Sequence, residues 1–65
     1  MFIENNIIIS KKEISSQIPK GTKGVILEVY KNGDYYLVEF IDNENYTIGD
    51  GMETVFKDDI ELVES

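Results

Sequence analysis

Neither cysteine nor histidine occurs anywhere in the 65 residues. A disulfide staple and a thiolate metal site are therefore excluded, and the commonest general base and metal ligand is missing. Basic residues are scarce as well: six against thirteen acidic ones leave a net charge of −7. That balance opposes binding to phosphate backbones, because a cationic footprint supplies most non-specific nucleic-acid affinity. The N-terminal stretch Met1–Ser10 carries Glu4, Asn5 and Asn6 where a signal peptide needs a basic start. Its longest apolar run, Ile7–Ile9, falls far short of the ~20 residues that a membrane helix requires. A cytoplasmic protein that avoids membranes is expected. The Asn45-Tyr46-Thr47 sequon matters only in a secreted protein.

What the chain does have is a hairpin signal. Asn32-Gly33 sits between two strand-like runs within residues 24–41, and a type I′ turn needs positive φ at both of its central residues. With those two at the turn, Lys31 faces Asp34, and the opposed pairs continue as Tyr30 with Tyr35, Val29 with Tyr36, Glu28 with Leu37, Leu27 with Val38, Ile26 with Glu39 and Val25 with Phe40. Side chains alternate faces along a strand. One face, Val25, Leu27, Val29, Tyr36, Val38 and Phe40, holds no charge and is expected to be core. The other, Ile26, Glu28, Tyr30, Tyr35, Leu37 and Glu39, mixes acids, aromatics and aliphatics and is expected to face outward.

Around the hairpin, the β-branched run within Phe2–Ile9 predicts a first strand. A polar loop from Ser10 to Thr22 follows, with the only proline, Pro19, a short turn around 13–18, and Ile14 and Ile18 as its anchors on the core. The acid-rich stretch Asp42–Gly51 predicts an exposed connection, although Tyr46 and Ile48 have the alternating spacing of a sheet edge. A short strand over Glu53–Phe56, a single 3₁₀ turn at Lys57-Asp58-Asp59 and a closing strand Ile60–Val63 complete the chain, with a frayed tail at Glu64–Ser65. No stretch sustains a 3.6-residue apolar period, so a helical domain is not expected. The fold class predicted is all-β: one domain over residues 1–65, a small five-stranded SH3-like barrel with a 3₁₀ turn before the last strand.

Catalytic chemistry finds no assembly by residue type. Gly21 and Gly24 bracket the approach to the hairpin without a P-loop pattern and suit a tight turn or close packing. The acids of residues 42–53 lack the glycine that an EF-hand loop needs at its sixth position, and Asp58 and Asp59 read as turn residues. No cofactor, metal or enzymatic activity is expected. Tyrosine, by contrast, brings large contact area at small entropic cost and is enriched in binding hot spots. Tyr30 and Tyr35, opposed on the outer face and flanked by acids, suit a protein surface. The alternative role of such a pair is cross-strand stabilisation of the hairpin.

Gly21-Thr-Lys-Gly24-Val-Ile-Leu-Glu-Val-Tyr30, followed by Tyr36-Leu-Val-Glu-Phe40 and the closing Phe56-Lys-Asp-Asp-Ile-Glu-Leu-Val63, resembles short uncharacterised bacterial proteins with SH3-like folds. More distantly it is similar to the KOW-type barrels of ribosomal and transcription proteins. The resemblance runs from about Ile7 to Val63. Some members of the uncharacterised family are encoded beside toxin-like proteins, which implies an immunity or antitoxin role. Against the KOW barrels this chain differs in charge, since Lys20, Lys23 and Lys31 sit among Glu28, Asp34, Glu39, Asp42, Glu44 and Asp50.

The function expected is a non-enzymatic acidic module that neutralises a basic toxin or nuclease. The candidate partner-binding residues are Glu28, Tyr30, Tyr35, Leu37, Glu39, Asp42, Glu44 and Asp50. The alternatives are a phage-type anti-defence mimic of nucleic acid and a KOW-like accessory module of a ribosomal or transcription complex. Self-association through a sheet edge stays open.

Overall fold

The computed structural model describes residues 1–64; of the tail Glu64–Ser65 predicted to fray, Glu64 belongs instead to the last strand and Ser65 lies outside the described residues. Five antiparallel strands form one sheet: β1 (Ile7–Ser10), β2 (Lys23–Tyr30), β3 (Tyr35–Ile41), β4 (Thr47–Phe56) and β5 (Ile60–Glu64), in the order β4-β3-β2-β1-β5. Among the described residues there is no α-helix, and the predicted 3₁₀ turn stands at Lys57–Asp59. Among the described residues no helix is long and apolar enough to cross a membrane.

The sheet cannot be flat. Its two edges, β4 and β5, are joined by three residues only. Laid flat, five strands would separate their outer members by about 19 Å, whereas the chain from Phe56 to Ile60 reaches at most ~15 Å even when extended. The sheet therefore curls so that its edges approach at the 3₁₀ turn. The shortest principal dimension of the molecule, 18 Å, also exceeds that of a single flat layer. The curl is tied down where Lys57 N donates to Asp34 O at 2.9 Å and Lys11 N donates to Asp59 O at 2.8 Å.

Asn32 and Gly33 take the left-handed conformations expected of them, with φ of 57° and 98°. Lys31 is left-handed too, at φ 52°. The turn is thus wider than a two-residue loop, and Lys31 and Asp34 close it through Asp34 N donating to Lys31 O at 3.2 Å rather than pairing in the ladder. Beyond it, Tyr30–Tyr35, Val29–Tyr36 and Glu28–Leu37 pair as predicted. The register then slips by one at Leu27, giving Ile26–Val38, Val25–Glu39 and Gly24–Phe40. A bulge inserts one unpaired residue and so exchanges the faces of everything beyond it. As a result the predicted core face is wrong for the first half of β2. Ile26, expected outside, is fully buried, and Val25 and Leu27, expected inside, are only half-buried.

Gly24 explains why the slip is accommodated. It lies inward opposite Phe40, where a Cβ would come within 2.6 Å of Val38 Cγ1 and 3.0 Å of Phe40 Cδ1. Both neighbours have no solvent exposure. Gly24→Ala is expected to overpack this point and lower stability by about 1–3 kcal/mol, seen as a lower midpoint of urea unfolding with an unchanged slope.

Three further boundaries differ from expectation. Phe2–Asn6 is not strand: the backbone turns at Asn5 (φ 73°), Asn6 N donates to Ile3 O, and the buried Asn6 side chain accepts from Ile3 N at 2.9 Å. The predicted exposed connection Asp42–Gly51 is loop only over residues 42–46. Thr47–Gly51 belongs to β4, where Ile41–Thr47 and Glu39–Met52 pair on either side of an irregularity that contains left-handed Gly49 and Gly51. The closing strand runs to Glu64.

The core is Ile8, Ile18, Ile26, Tyr36, Val38, Phe40, Val55 and Ile60, with Phe2, Ile14, Val29 and Ile48 packed against it. Ile14 and Ile18 anchor the long loop as predicted, through Ile14 N donating to Ile18 O at 2.9 Å. The loop's other anchor, Ser10, has no counterpart in the sequence reading. Its side chain, 1% exposed, donates to Pro19 O at 2.9 Å and accepts from Thr22 N at 3.0 Å, while its backbone N–H donates to Thr22 O and its carbonyl accepts from Gly21 N. Ser10→Ala would remove the two side-chain hydrogen bonds that tie the exposed end of the loop to β1, leaving Thr22 N with only Pro19 O as its partner. A loss of about 1–3 kcal/mol is expected, with faster amide hydrogen exchange at Thr22 as its local signature.

Candidate protein-binding face

The outer side of β2, β3 and β4 is built in rows by the strand register. Tyr30, Tyr35 and Phe56 form one row, Glu28, Leu37 and Thr54 the next, and Val25, Glu39 and Met52 a third. Five of the eight predicted residues, Glu28, Tyr30, Tyr35, Leu37 and Glu39, are thereby gathered on one surface. Asp42 and Glu44 lie in the exposed β3–β4 loop, and Asp50 is exposed in the irregular part of β4. Phe56 and Met52 were missed. Their signal was the alternation Met52, Thr54, Phe56, which a β4 extended towards Thr47 places on the same face as Glu39, Leu37 and Tyr35.

The two tyrosines of the first row are opposed in register, yet the aromatic ring pairs among the described residues are Phe2–Tyr36 and Tyr35–Phe56. The Tyr35 ring packs on Phe56 with centroids 5.4 Å apart and planes inclined by 57°. The Tyr30 hydroxyl instead donates to Glu28 Oε2 at 3.2 Å. Partial desolvation raises the Tyr30 phenol above its ordinary pKa, and the hydrogen bond to Glu28 and that residue's charge push it in the same direction. The phenol is thus a donor at neutral pH. Tyr30 and Tyr35 remain 38% and 41% exposed, and Met52, two rows away, 55%, so the face keeps aromatic and apolar area in solvent.

The acids differ in what they already do. Glu39 accepts a hydrogen bond from the Thr47 hydroxyl. Asp42 organises its loop, its Oδ1 accepting from Glu44 N at 2.8 Å and Tyr46 N at 3.0 Å. The ion pairs among the described residues are Lys12–Asp59 at 3.5 Å and Lys57–Asp34 at 3.2 Å. No lysine comes within bonding distance of Glu28, Glu39, Asp42, Glu44 or Asp50 among them. None of these five carboxylates is held in an ion pair among the described residues.

A concavity of about 430 Å³, open to solvent, lies between the end of the long loop and the β3–β4 loop, where Lys20 and Lys23 share its walls with Asp42 and Ile48. Among the described residues no group of three or more acids is assembled to hold a metal ion. No family model matches the chain, and no curated protein or solved structure matches it.

Proposed function

We propose that this chain is a non-enzymatic protein-binding module of the immunity or antitoxin kind, whose acidic outer face covers a basic active site such as that of a nuclease. The observation that carries the reading is the row Tyr30–Tyr35–Phe56 beside Glu28, exposed aromatic area next to a carboxylate without a cation. Exposed aromatics supply contact energy, and unpaired acids on the same side steer a cationic partner and set the salt sensitivity of its association. The net charge of −7 acts in the same direction. We read the curled sheet as a small SH3-like barrel. The strand order, the long first loop and the 3₁₀ turn that brings the sheet edges together support that reading.

The test is capture from the cells that make the protein, at low and high salt, with the unmodified chain and with a Glu28→Lys, Glu39→Lys variant as bait. The expected result is a basic enzyme retained by the unmodified chain at low salt, released by high salt, inhibited in a stoichiometric complex and lost by the variant. Equal retention by both baits would overturn the reading. So would recovery of ribosomal or transcription components.

A further inference from the structure

We propose that the outer face recognises arginine, seating a partner's guanidinium against the Tyr30 and Tyr35 rings with Glu28 as its counter-charge. This rests on the protein-binding reading above and names the side chain that it selects. Three observations converge. Tyr30 and Tyr35 are paired in register but do not form a ring pair, because Tyr35 leans on Phe56 and Tyr30 reaches for Glu28. Each ring keeps exposed area on the same surface. Glu28 is exposed, its Oε2 is oriented by the Tyr30 hydroxyl, and no lysine is bonded to it among the described residues. Half-buried Leu37, directly opposite Glu28, supplies an apolar floor for the methylene stem of a long cation.

This combination separates arginine from lysine. A guanidinium is planar, weakly hydrated and able to stack on an aromatic ring while its N–H fork meets a carboxylate. An ammonium is a compact, strongly hydrated charge that gains from the carboxylate but cannot stack flat on a ring or present an N–H fork. A merely acidic surface would take either. An aromatic row beside an oriented carboxylate favours the first.

Oligo-arginine and oligo-lysine peptides of equal length are the probes, titrated into the ¹⁵N- and ¹³C-labelled chain. The arginine peptide is expected to bind about tenfold more tightly and to shift the Tyr30 and Tyr35 ring resonances. Tyr30→Leu with Tyr35→Leu should bring its affinity down to that of the lysine peptide, and Glu28→Gln should weaken both peptides. Equal affinities, or ring resonances that stay still while those around Lys20 and Asp42 move, would overturn the arginine assignment and leave the acidic-module reading standing. Binding of neither peptide would overturn both. The ring shifts are read on the unmodified chain, so the assignment stays testable even if the double leucine variant unfolds.

Discussion

Tyr36→Ala is expected to leave the chain largely unfolded at room temperature, while Tyr36→Phe folds with a loss of about 1 kcal/mol. Tyr36 is among the largest fully buried side chains. It lies opposite Val29 in β2 and Val55 in β4, and the Phe2 ring meets it edge-on with centroids 5.2 Å apart. Its hydroxyl accepts from Phe2 N at 3.1 Å. Truncating a buried aromatic to alanine costs about 3–5 kcal/mol. At ~0.05–0.15 kcal/mol per residue, a chain of this length has about 3–10 kcal/mol in all. The phenylalanine variant keeps the ring and removes only the acceptor for Phe2 N, so the two variants separate packing from hydrogen bonding. Circular dichroism with urea titration decides between them. An alanine variant with an unfolding midpoint near that of the unmodified chain would show that the core does not depend on this ring.

Reversing both outer-face glutamates, Glu28→Lys with Glu39→Lys, is expected to weaken binding of a basic partner roughly 100-fold or more, because like charges brought together across an interface cost several kcal/mol. Most of the early loss should fall on the association rate, which in the unmodified complex should decline steeply with added salt and in the variant should lose that dependence. Stability should change far less. Glu28 is exposed, and Glu39 gives up one surface hydrogen bond, from the Thr47 hydroxyl. Surface changes of this kind usually stay within about 0.5 kcal/mol. Asp42 is left out of the variant because two backbone N–H groups of its own loop depend on its carboxylate. Stopped-flow association against ionic strength, with thermal melts of both chains, makes the comparison. An affinity unchanged by the double reversal would move the interface off this face.

The hairpin was legible close to its turn and lost away from it. Asn32-Gly33 has few conformations open to it that are not a left-handed turn, and the first three opposed pairs inherit that register. The slip at Leu27 was hidden because Val25, Ile26 and Leu27 are all aliphatic, so either parity of the run buries an acceptable set of side chains. The site followed the same pattern. Glu28, Tyr30, Tyr35 and Leu37, close to the turn, lie on the outer face as expected, and their neighbours Phe56 and Met52 were not seen because they arrive from another strand. Ser10 was missed for a related reason: a serine after three isoleucines carries no sign that it will meet Pro19 and Thr22.

Strand class, the central turn, the 3₁₀ turn at Lys57–Asp59 and the excess of acid can all be read from the residues alone. Each of these follows from φ preferences, side-chain alternation or composition, which act over a few residues or over none. Tertiary structure decided which half of β2 faces the core, why Tyr30 and Tyr35 part company, and which carboxylates are left without a partner. Those outcomes depend on contacts between distant segments. Ile26 bonds to Asn5 and Asn6 in the turn that precedes β1, Gly24 is pressed against Val38 and Phe40, and Phe56 arrives beside Tyr35 from β4. A one-residue bulge is enough to exchange the faces of a strand, and it is selected by the packing of the whole core rather than by any local signal.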